Sequence, residues 1–90
     1  MIVNLMNLNK QNLINKIKYR SQYRGTKEMD IFINSFVNKV ISNLYFDELH
    51  QLNELINLSD EDIVGILNGK IKTNIDQNII NLLIDFKKKY

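Results

Sequence analysis

Met29, Phe32, Ile33, Phe36, Val37, Val40, Ile41 and Leu44 fall on the repeating three-and-four interval of a single helical face. The run lasts about four turns, at 3.6 residues per turn. A stripe of this width is stable only when other apolar surface covers it, so the rest of the chain has to supply that cover. Thr26 stands where an N-cap belongs, and Glu28 and Asp30 fall in the first turn, where carboxylates favour the positive end of the helix dipole.

The remaining segments read as shorter helices. Leu13, Ile14, Ile17 and Ser21 define a first helix over about Lys10 to Gln22, with Gly25 just beyond it as a left-handed stop. Phe46, Leu49, Leu52, Leu55 and Ile56 mark a third. In LSDEDIVGILNG, Ser59 and Asp62 form a pair like a capping box, Ile63, Ile66 and Leu67 make an apolar face, and Gly69 ends the turn. From Asn74, a last helix aligns Ile75, Ile79, Leu82, Leu83 and Phe86 before the basic residues Lys87, Lys88 and Lys89. No useful stretch alternates with a period of two. The expected fold is all-α: a small five-helix bundle forming a single domain over residues 10–90, with residues 1–9 an N-terminal extension, read as flexible.

Composition suits this. With 90 residues, 44% hydrophobic and 24% charged, the chain has room for one core. Cysteine is absent, which excludes disulfides and thiolate metal sites. No apolar run approaches the roughly 20 residues of a membrane span. The N-terminal MIVNLMNLNKQNL carries neither a signal-peptide nor a transit pattern, so the chain is expected to stay where it is made.

Charge is segregated. Lys10 to Lys27 holds six basic residues and no acidic one, whereas Asp47 to Asp62 holds six acidic residues and neither lysine nor arginine. Such runs ordinarily mark solvated faces, or two regions that face one another. Catalytic patterns are missing. His50 has no partner at ligand spacing and reads as an exposed residue, and Asp60, Glu61 and Asp62 read as helix-capping residues, because a calcium loop needs glycine and spaced oxygen ligands. No phosphate loop, nucleophile elbow or HExxH is present, so no enzyme is expected and no metal site is assigned.

The stretch YRSQYRGTKEMD asks for more than capping. It holds the only two arginines of a chain in which lysine has otherwise displaced them. A guanidinium offers a fixed fork of donors that an ammonium does not. Tyr19, Arg20 and Ser21 followed by Arg24, Gly25, Glu28 and Asp30 resemble the YRSxxRGxxExD block of the succinate dehydrogenase assembly factors of the SdhE flavinylation family. Leu55, Ile56, Asp60, Asp62, Ile63 and Leu67 resemble that family's downstream LLxxxDxDLxxWL segment, with Ile66 in place of tryptophan and Glu61 in place of a frequent proline. The resemblance covers Lys18 to Phe86.

The resemblance implies a five-helix factor that binds the flavoprotein subunit of succinate dehydrogenase, with fumarate reductase as a second client, and promotes covalent attachment of FAD to it. The factor itself holds no tightly bound cofactor; FAD is the group attached to the client. For a member of that family, staying where it is made implies the cytoplasm. Tyr19, Arg20, Arg24, Gly25, Glu28 and Asp30 are the implied partner-binding residues, with Arg20 and Arg24 donating to acidic client groups. An alternative from another class is a small nucleic-acid-binding or regulatory protein that uses the basic first helix, with Tyr19 and Tyr23 stacking on bases. The acidic middle and low net charge of +2 weigh against it.

Overall fold

A computed structural model describes residues 2–22 and 24–90, with side chains from Leu8 onward. The described residues form α1 (Ile2–Arg20), α2 (Lys27–Val40), a 3₁₀ turn (Ile41–Asn43), α3 (Phe46–Ile56), α4 (Asp60–Leu67) and α5 (Gln77–Lys89), with no strand among them. The all-α five-helix architecture expected from the periodicity is the one observed.

The long stripe becomes the centre of the core. Phe32, Ile33, Phe36 and Val37 of α2 are buried, and Ile41 and Leu44 carry the same face through the 3₁₀ turn. Leu49, Leu52, Leu55 and Ile56 cover it from α3, Ile63 and Ile66 from α4, and Ile79, Ile80 and Leu83 from α5. Burying one such side chain stabilises the fold by about 1.5–3 kcal/mol. Phe86 closes the α5 side, its ring centroid 5.6 Å from that of Phe32 and 5.5 Å from that of Phe36. The first helix contributes Leu13 and Ile17, and packs most extensively against α3.

The caps follow the sequence closely. Thr26 Oγ1 accepts the Met29 N–H at 3.2 Å, and Ser59 Oγ accepts that of Asp62 at 3.1 Å. At the start of α3, Glu48 Oε1 accepts the Tyr45 N–H at 2.9 Å. Gly69 lies in the left-handed region at φ +72°. There the Lys70 N–H donates to the Gly65 carbonyl at 2.8 Å and the Gly69 N–H to that of Ile66 at 3.1 Å, the paired bonds of a Schellman ending.

Three local expectations are corrected. The first helix starts at Ile2 rather than near Lys10, so Ile2 to Asn9 continue α1. Asn74 does not open the last helix: Asp76 does, its Oδ1 accepting the Asn78 N–H at 3.0 Å, while its own N–H donates to Gln51 Oε1 of α3 at 2.8 Å. Gly25 does not take the left-handed conformation, since Gly69 is the glycine with positive φ. A Cβ on Gly25 would instead lie 3.1 Å from Asp60 Oδ2, so closeness of approach is what favours glycine there.

Candidate functional site

The corner between α1 and α2 is fixed to the corner between α3 and α4 by one side chain. Arg24 lies just before α2, and its side chain is only 6% exposed. Its Nε donates to Asp60 Oδ1 at 2.8 Å, while Nη1 donates to the carbonyl of Ile56 and Nη2 to that of Leu58. Ile56 ends α3, so its carbonyl has no partner within the helix and lies at the negative end of the dipole, where a cation is favoured. Asp60 is the first residue of α4, where a carboxylate is favoured. The guanidinium therefore joins the end of one helix to the start of the next, and its planar fork serves three acceptors together.

Two further bonds complete the interlock. Asp60 Oδ2 accepts the Gly25 N–H at 3.2 Å, and Asp30 Oδ1, from the first turn of α2, accepts the Arg24 N–H. Arg24 is thus held at both its backbone and its side chain. Below the corner, the fully buried Ser21 donates its hydroxyl to the Lys18 carbonyl at 2.8 Å and lies 3.3 Å from Asn34 Oδ1 of α2.

The residues singled out in the sequence separate into two groups. Arg24 and Asp30 turn inward. Tyr19, Arg20, Gly25 and Glu28 are exposed, Tyr19 at 67%. Arg20 leans onto α3, with Nη1 3.2 Å from Asn57 Oδ1 and 3.4 Å from Asn53 Oδ1. Tyr19, Arg20, Gly25, Asn57 and Asp60 border an open groove of about 700 Å3 with Arg24 in its wall. Glu28 borders a different hollow, shared with Phe32, Val64 and Tyr90. Tyr23 lies outside the described residues.

A model of the Sdh5 family, described as flavinator of succinate dehydrogenase, matches residues 15–87 of the chain. The match takes in most of the sequence, including both interlocked corners. The chain belongs to this family of succinate dehydrogenase flavinators. No curated protein and no solved structure matches the chain. Membership makes the chain an assembly factor of succinate dehydrogenase flavinylation, in agreement with the resemblance carried by the YRSxxRGxxExD block.

Within the flavinator fold, Asp60 has a larger part than helix capping, because its two oxygens serve Arg24 and Gly25 while Ser59 caps α4. The segregated charges carried a sign of this: the basic and acidic segments meet at Arg24 and Asp60. His50 is exposed on α3 and meets the Phe46 ring edge-on at 4.7 Å. Among the described residues, no group of three or more His, Cys, Asp or Glu is placed to hold a metal ion, and no helix is long and apolar enough to cross a membrane.

Proposed function

We propose that this chain binds the flavoprotein subunit of succinate dehydrogenase, with fumarate reductase as a second client, and promotes covalent attachment of FAD to that client in the cytoplasm. Family membership across residues 15–87, which takes in both interlocked corners, is the observation that carries the reading. The chemistry belongs to the client and its flavin. The factor contributes positioning, because holding reacting groups in a productive arrangement accelerates bond formation without a proton-transferring residue on the helper.

The geometry divides the work. Tyr19, Arg20, Gly25 and Glu28 form the surface offered to the client, and Arg24, Asp30 and Asp60 hold it in shape from beneath. Arg20 supplies an exposed cation for a client carboxylate, with Asn53 and Asn57 orienting its guanidinium. Gly25 keeps the surface low, so that another backbone can come close.

The nucleic-acid alternative would use Lys16, Lys18, Tyr19 and Arg20, which lie on the exposed side of α1. Arg24 is withdrawn from that surface by Asp60, and no observation favours this reading over the first.

Arg20→Glu separates docking from folding. The side chain is exposed, so reversing its charge at the end of α1 should cost no more than about 1–2 kcal/mol and leave the fold intact. Covalent flavin on the client, read by fluorescence after denaturing electrophoresis, should fall sharply. Normal flavin incorporation with this variant would remove Arg20 from the docking surface.

A further inference from the structure

Asn68 and Gly69 make the single Asn-Gly step of the chain. Glycine leaves its own nitrogen open to approach, so an unconstrained asparagine before it can close a ring. The Gly69 nitrogen attacks Asn68 Cγ, a Cγ–N bond forms as the Cγ–Nδ2 bond breaks, and ammonia leaves with the proton given up by the Gly69 nitrogen. Water then opens the succinimide to aspartate or to isoaspartate, in which the main chain runs through Cβ and Cγ. Water is the sole co-reactant.

The fold leaves this pair accessible but holds its reacting groups apart. Both residues are exposed, and beyond the adjoining residues nothing lies within 4 Å of the place a Gly69 Cβ would take. Asn68 has φ −87° and ψ 1°, which turns the Gly69 nitrogen away from the Asn68 side chain. That nitrogen donates to the Ile66 carbonyl at 3.1 Å, and the N–H groups of Lys70 and Ile71 both donate to the Gly65 carbonyl, at 2.8 and 3.2 Å. Ring closure requires the Asn68 ψ to rotate and the bond to Ile66 to break, and the bonds to Gly65 follow the same segment of chain. Openings of this kind, confined to one helix end, cost less than global unfolding.

We propose that Asn68 is a site of spontaneous succinimide modification, reached only when the ending of α4 opens, and that the isoaspartyl product cannot rebuild that ending. The lengthened main chain moves the Gly69 and Lys70 N–H groups out of register with the Ile66 and Gly65 carbonyls. Either product also sets a carboxylate at the negative end of the α4 dipole, where it is disfavoured. Modification therefore weakens α4 from the end opposite Asp60, the residue that holds Arg24.

The full chain is incubated at mildly alkaline pH, folded or in denaturing guanidinium chloride. Residue 68 is followed by peptide mass mapping and by enzymatic methylation of isoaspartyl carboxylates. Isoaspartate should form at residue 68 ahead of every other asparagine of the folded chain, at least about tenfold more slowly than in denaturant. Asn68→Gln, whose longer side chain closes its ring far more slowly, should lose the signal. The modified form, separated by ion exchange, should melt below the unmodified chain. Folded and denatured rates within about twofold of each other overturn the gating by α4. Earlier reaction at another asparagine, or none at residue 68 of the folded chain, overturns the site. A modified form that melts with the unmodified chain overturns the loss of the helix ending.

Discussion

Without the Arg24 guanidinium, itself only 6% exposed, the Ile56 and Leu58 carbonyls and the Asp60 carboxylate would lose a shared donor. Arg24→Ala should therefore destabilise the fold by about 3 kcal/mol, measured by chemical denaturation. Arg24→Lys should recover only part of this, since one ammonium cannot reproduce a planar fork across three acceptors. A wild-type midpoint for Arg24→Ala would remove the interlock from the account. The sequence marked Arg24 as important yet pointed it toward a partner. Its acceptors lie 32 to 36 positions away in the chain, beyond the reach of any local pattern. Gly25 has a similar history, because a left-handed glycine and one crowded by a carboxylate look identical in sequence. Ser21 is the opposite case: its place on the apolar stripe of α1 correctly foretold a buried position.

Among the helices, α4 and its ending give the sharpest test, since two nearby glycines are required for different reasons. Gly69 has positive φ and open space around it, so Gly69→Ala should cost about 1–2 kcal/mol through the backbone alone. Gly65 is helical and buried, and a Cβ there would clash with the Ile71 side chain at Cδ1 and Cγ1. Gly65→Ala should cost up to about 2 kcal/mol, overpacking against Ile71 being partly offset by the better helix propensity of alanine. Trimming Ile71 to alanine in the Gly65→Ala background should relieve that strain, and the same trim should give no relief with Gly69→Ala. Denaturant midpoints of the four variants check this. The interior of α2 was plain in the sequence because its period persists. The start of α5 was displaced because Asp76, rather than the apolar Ile75, satisfies the free N–H groups of the first turn. The start of α1 was missed because the described part of that helix buries only Leu13 and Ile17, leaving a weak stripe to mark its length.

At the scale of the whole molecule, the other four helices close over the stripe of α2, and two chain corners meet through Arg24, Asp60 and Gly25. The segregation of charge acquires a structural reason, since the basic and acidic segments join at that meeting point. Family membership and fold class were legible from the ordered blocks and the periodicity, whereas the split of the RGxxE block between two hollows needed three dimensions. We propose that this chain makes a flavoprotein competent to take up its flavin. This claim is tested most directly by producing the succinate dehydrogenase flavoprotein subunit with and without the chain and comparing covalent flavin fluorescence after denaturing electrophoresis. A strongly fluorescent client band that depends on the chain is the predicted result. Equal fluorescence in its presence and absence would contradict the account.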